Sequence, residues 1–202
     1  MRAGTLQVPA LVLCAALAAC AQFGVPRLPE PWRDPERLTG TVFLVYDART
    51  VLGFGHTGVI VAGDGPGVWL RYDQYASAEI AYGERLRAGT ASFWDPIGAR
   101  LPSIFGATRE YVTRREGAAP AALLAGEELL LPLRGLNASR VRAAAQARHE
   151  QAGALEQEGA PRYFWTANNC KHFVRAVLRA GGPIPERYFP KWMVEDVMEE
   201  GP

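Results

Sequence analysis

Val8 to Ala19 is an almost unbroken apolar stretch, and behind it proline recurs at Pro26, Pro29, Pro31 and Pro35. These two features together limit where a fold can begin. The apolar stretch is too short to span a bilayer comfortably as a helix, and Arg2 supplies the positive start of an export signal. The prolines favour extended backbone and forbid a regular helix. A folded domain is therefore expected from about residue 39 onward. The 202 residues suffice for one domain with a real hydrophobic core. The net charge is +1, so no basic stripe argues for a nucleic-acid partner.

Leu17-Ala18-Ala19-Cys20 resembles the lipobox of bacterial lipoproteins. The resemblance implies cleavage before Cys20 and acylation of its thiol by a palmitate-type chain. Residues 1–19 would then be a signal peptide and 20–38 a lipidated cysteine with a proline-rich tether. Residues 39–202 would form the domain. The expected location is the cell envelope, on the periplasmic face of the outer membrane, with the membrane itself as a partner. An ordinary secretory signal with a small-residue cleavage site is the competing reading, and in neither does a transmembrane helix remain. The three cysteines are Cys14, Cys20 and Cys170. With Cys14 removed and Cys20 acylated, Cys170 has no intramolecular disulfide available to it. In an oxidising compartment that invites a reactive role, although a small buried residue that merely packs fits equally well.

Thr41 to Tyr46, Gly55 to Val61 and Val68 to Asp73 read as strands, rich in β-branched and aromatic residues. Ala48 to Gly53 and Ala62 to Gly67 read as turns, so residues 55–73 form an expected hairpin. The glycines at 63–67 lack the Gly-Lys-Ser/Thr of a phosphate loop and fit a plain turn. Residues 74–118 show no periodicity that assigns them. Glu128 to Leu133 is a further strand. Asn137 caps a helix expected to run to about Glu156, whose arginines at 140–148 suit a solvated face. A second helix starts at Cys170 and is stopped by Gly181-Gly182-Pro183. Lys191 to Glu199 suits a terminal helix.

The strongest chemical signal lies in Asn168-Asn169-Cys170-Lys171-His172-Phe173-Val174. An Asn cap puts Cys170 in the first helical turn, where unpaired amides and the helix dipole favour a thiolate. The same amides are expected to donate to an oxyanion beside the sulfur. Helical spacing puts Cys170, Phe173, Val174 and Val177 on one inward face, with Lys171, Arg175 and Arg179 outside. A thiolate mechanism needs a base. His172 is two residues from Cys170 on the helix and points elsewhere, so it packs or caps. His149 lies in a polar, Ala-rich helix and suits the surface. His56 opens an apolar strand and can present its ring from a rigid element, though a solvated strand end is the alternative. With the turn near Gly65, position 56 lies opposite about position 74. That nominates Asp73 or Gln74 to orient the imidazole. Asp73 is preferred because a carboxylate also stabilises imidazolium.

Gly55-His56-Thr57-Gly58-Val59-Ile60-Val61, followed by Asn169-Cys170-Lys171-His172-Phe173-Val174, is similar to motifs of the circularly permuted branch of the NlpC-type papain-like superfamily. The second motif resembles the Asn-Cys-Glu-His-Phe signature of lecithin:retinol acyltransferase-like proteins, with Lys171 in place of Glu. The histidine strand precedes the cysteine helix, the order of the permuted branch. The resemblance spans roughly residues 40–182 and implies an α+β, papain-like fold, a small antiparallel sheet packed against the helix carrying the nucleophile. Cys170 would be the nucleophile and His56 the base. The retinol-acyltransferase relatives carry a second histidine where this chain has Tyr72-Asp73-Gln74, and residues 74–127 align with nothing in the family.

The catalytic expectation is thus Cys170, His56 and Asp73, with Cys20 as lipidation site and no particular substrate-binding residues. The first functional reading is hydrolysis of an amide, peptide or peptidoglycan-type, through an acyl-enzyme. The second is lipid acyl transfer or hydrolysis on the same pair. The third is a non-catalytic scaffold. The scattered histidines and the lack of a Cys-x-x-Cys pair suggest no metal site, and the chemistry calls for no cofactor.

Overall fold

Alternation is the rule that builds this domain. In His56-Thr57-Gly58-Val59-Ile60-Val61-Ala62, successive side chains of a strand face opposite sides of a sheet, and both sides here are apolar enough to be covered. A computed structural model describes residues 41–47, 55–76, 84–85, 88–90, 108–126, 128–153, 162–164 and 167–184. The expected signal segment, Cys14, Cys20, the tether, the turn after Asp47 and the terminal helix at 191–199 lie outside the described residues.

The described residues form an α+β fold: an antiparallel sheet with two helices. The strands are β1 (Val42–Asp47), β2 (His56–Ala62), β3 (Trp69–Ala76), β4 (Thr108–Gly117), β5 (Leu129–Pro132) and β6 (Arg162–Tyr163). Their order across the sheet is β5-β1-β2-β3-β4-β6. The helices are α1 (Ala138–Gly153) and α2 (Cys170–Gly181), and a 3-10 turn spans Ala121–Leu123. The hairpin expected at 55–73 is present. Gly63 N–H donates to Val68 O at 2.8 Å, and Gly67 takes a φ of 71°, a conformation that favours glycine.

Both helices lie on one face of the sheet, α1 against β2 and β4, α2 against β2 and β3. Thr57 and Tyr72 reach toward them: Thr57 Oγ1 donates to the Cys170 carbonyl, and Tyr72 OH to Gln146 Oε1. Val59 and Val61 share that side and join Val141, Ala145, Phe173, Val174, Val177 and Leu178 in the core. Each of the larger of these side chains stabilises the fold by about 1.5–3 kcal/mol when fully buried. The opposite face is buried too. Phe43, Ile60, Trp69, Arg71 and Asp73 lie there by alternation, with Phe43 and Trp69 in an edge contact at 5.5 Å. The two helices are tied at their ends, where Asn137 N–H donates to Gly181 O. A Cβ at residue 181 would strike Val141 across this crossing.

The structure differs from sequence expectation in several places. β3 continues to Ala76, and β4 and β6 occupy stretches that gave no readable pattern. β4 reads Thr-Arg-Glu-Tyr-Val-Thr-Arg-Arg-Glu-Gly, so its alternation is hidden by charge, and the inward Glu110 is tolerated because Arg148 meets it. α1 is not simply solvated along its arginines. Arg142 pairs with Asp64, and Arg148 reaches the fully buried Glu110. His149 is half-buried, with Nδ1 2.5 Å from Val112 O and its ring edge-on to Tyr72. On α2, Arg179 is exposed as expected, while Lys171 and Arg175 are half-buried.

Candidate active site

Asn169 sets the start of α2. Its backbone is extended, and its side-chain Oδ1 accepts from Lys171 N–H at 3.0 Å and His172 N–H at 3.2 Å. The His172 ring adds a third contact, Nδ1 at 2.9 Å from the same oxygen. This corrects one detail of the sequence reading, the role of the amides, and agrees with another, the capping role of His172. The amides of Lys171 and His172 serve the cap, so they are not aimed at an oxyanion beside the sulfur. His172 is a capping partner; burial, then the neighbouring Arg175 and Lys171 charges, push its pKa down. Cys170 follows the cap directly, is buried, and is the only cysteine among the described residues.

His56 opens β2 and is buried, 6% exposed. Its Nε2 lies 3.1 Å from Asp73 Oδ1, and the Cys170 side chain stands close enough to act on the ring's charge. Tyr75 stacks flat on the other surface of the ring, centroids 4.6 Å apart and 7° from parallel. Burial by itself would lower the His56 pKa. The bond to Asp73, then the bond and charge of Cys170 and the charge of Asp73, outweigh it and raise the pKa to about 10. An imidazole in this setting keeps its proton at neutral pH.

The hairpin register explains which neighbour is chosen. Gly58 pairs with Asp73 and Ile60 with Arg71. Continued outward, that register sets Tyr75, not residue 74, across from His56. Asp73 therefore reaches the ring diagonally, and Gly58 makes the path: a Cβ at residue 58 would strike the Asp73 carboxylate. Gln74 faces the helices instead, where its Nε2 donates to Asn168 Oδ1 at 3.2 Å. Of the two candidates the sequence offered, Asp73 is the one beside His56.

Asp73 is fully buried and carries more partners than the imidazole. Arg71 grips it with Nε on Oδ2 at 2.7 Å and Nη2 on Oδ1 at 2.9 Å, and Arg115 stands 3.6 Å from Oδ2. Burial would raise the Asp73 pKa; the bond and charge of His56, then those of Arg71, hold it well below the usual carboxylate range. Arg71 itself is buried and turns its remaining donors to Glu128 and the Leu123 carbonyl. Burial would lower the Arg71 pKa, but Glu128 and then Asp73 raise it, so its charge is permanent.

Sequence reasoning missed Gly58, Arg71, Tyr75 and Glu128. A signal existed for Arg71: it shares a strand face with Asp73 at spacing two, inside an otherwise core-like strand. None existed for Glu128, which is remote in the chain. Among the described residues no cluster of three or more His, Cys, Asp or Glu is disposed to hold a metal ion. Set against protein-family models, curated proteins and solved structures, the chain matches none of them, so the site must be read from its own geometry.

Proposed function

We propose that this protein is a thiol hydrolase that cleaves an amide through an acyl-enzyme on Cys170. The observation that carries the reading is the buried His56 ring, 3.1 Å from the buried Asp73 carboxylate and next to the buried Cys170 thiol. A buried imidazole held charged beside a thiol favours a thiolate–imidazolium pair. The thiolate attacks the carbonyl carbon. His56 passes its proton to the leaving nitrogen as the C–N bond breaks, leaving a thioester. Water then attacks the thioester while His56 takes its proton, and the carboxylic acid leaves as the thiol is restored. Asp73 orients the ring and stabilises its charge throughout.

The substrate class follows from the sequence. A lipobox-like Cys20 would tether the domain to the envelope, where peptide and peptidoglycan-type amides are at hand, and a papain-like fold of the permuted branch would suit that chemistry. The Asn169–Phe173 motif favours a second reading, transfer or hydrolysis of a lipid acyl group on the same Cys170–His56 pair. The test is labelling by a thiol-directed activity probe. Wild type should label at neutral pH, and Cys170→Ala and His56→Ala should not. Equal labelling of wild type and His56→Ala would sink the enzyme reading. The mass of an adduct trapped on Cys170 then separates a peptide acyl group from a fatty chain.

A further inference from the structure

Arg71 is a cation in the middle of a core strand, 1% exposed. Burying an ion pair in such a place is seldom the most stable choice; apolar side chains of similar volume often serve as well or better. Its geometry is correspondingly specific. All five guanidinium N–H groups have an acceptor: two on Asp73, two on Glu128 and one on the Leu123 carbonyl. The fork on Asp73 is two-pronged, which fixes the plane of the carboxylate as a single contact does not. The oxygen thus held is the one that meets His56: Oδ1 takes Nη2 of Arg71 at 2.9 Å and Nε2 of His56 at 3.1 Å. Glu128 closes the far end and also accepts from Ala125 N–H at 2.6 Å, so the segment after the 3-10 turn braces the guanidinium.

We infer that Arg71 is a positioning residue for the Cys170–His56 pair, braced by Glu128, holding the Asp73 carboxylate ionised and turned so that Oδ1 faces the imidazole. This rests on the reading of Cys170 and His56 as the reacting pair. Charges alternate along the row from thiolate to imidazolium, Asp73, Arg71 and Glu128. Without Arg71, Asp73 keeps His56 and the half-exposed Arg115, but loses both prongs of its fork. A buried carboxylate stripped of donors takes up a proton at higher pH. Once protonated, it no longer supports the imidazolium. The other groups to reckon with are Tyr75 over the ring, Asp47 across β1 from His56, and Arg115 on β4. All three are retained in the variants below.

The test is the pH dependence of Cys170 alkylation by iodoacetamide, in the full chain, for wild type and two variants. Arg71→Met with Glu128→Met removes the braced pair without changing net charge. Its acid limb should move up by about one pH unit or more. Arg71→Lys keeps the charge but cannot span both carboxylate oxygens, and its limb should move the same way by a smaller amount. If the double variant does not fold, Arg71→Lys decides. A limb that coincides with wild type in the folded variants overturns the role of Arg71, whatever their melting temperatures. A wild-type profile of an ordinary thiol, with one midpoint near 8.5, instead overturns the reacting pair itself. The two failures are therefore distinct.

Discussion

Strands β3 and β4 carry two buried charge networks, one on each face of the sheet, built from the same parts. Away from the helices, Arg71 forks onto the buried Asp73. On the helix side, Arg148 meets the buried Glu110, with Nε 2.9 Å from Oε1 and Nη2 2.9 Å from Oε2. The difference lies in what each carboxylate faces next. Asp73 faces an imidazole whose charge the neighbouring Cys170 supports. Glu110 faces the amide of Asn168, whose Nδ2 donates to it at 2.6 Å and to the Arg162 carbonyl at 2.7 Å. Asn168 Oδ1 in turn accepts from Arg148 and Gln74. One network leads to the imidazole beside Cys170; the other fixes the chain just before Cys170. A buried ion pair by itself therefore says little about chemistry, and the group at its end says a great deal.

That contrast can be broken by taking each network apart. Arg148→Met leaves Glu110 buried without its cation. It should cost about 3–5 kcal/mol in urea unfolding while leaving the pH at which Cys170 becomes reactive unchanged. A shift in that pH would show that the helix-side network also tunes the site. His56→Ala acts the other way. A thiolate at pH 7 outreacts a thiol of ordinary pKa by about thirtyfold, so alkylation of Cys170 at neutral pH should fall by at least that factor. Gly58→Ala sharpens the comparison locally. The new Cβ collides with Asp73, and overpacking of this kind costs about 1–3 kcal/mol. Its alkylation rate should fall with its stability, since the collision turns Asp73 away from the ring. Asn169→Ala should have the smallest effect, about 1 kcal/mol in the unfolding midpoint, from loss of the α2 cap.

What the sequence made legible was local. The cap at Asn169, the inward face of α2 and the hairpin around Gly65 each follow from a few adjacent residues. They were enough to bring forward Cys170 and His56, and to narrow the orienting group to Asp73 or Gln74. The hairpin's register was not legible to one residue. Its turn settles with Tyr75 across from His56, and Asp73 reaches over because residue 58 lacks a side chain. β4 was hidden because its inward Glu110 is neutralised by Arg148 from a helix remote in the chain. The Arg71–Glu128 brace was hidden for the same reason, as no short-range pattern encodes a contact across 57 positions.

The account turns on the charge of one ring. On this account the native state holds a proton on His56 that the unfolded chain gives up near pH 6.5. Its contribution to stability is therefore whole below that pH and is lost as pH rises through about 10. Titration of the His56 ring by NMR tests this most directly. The account predicts a ring still charged at pH 7, with a midpoint near about 10 in wild type and a lower one in Cys170→Ala. A wild-type midpoint at or below 6.5, unmoved by Cys170→Ala, would contradict it.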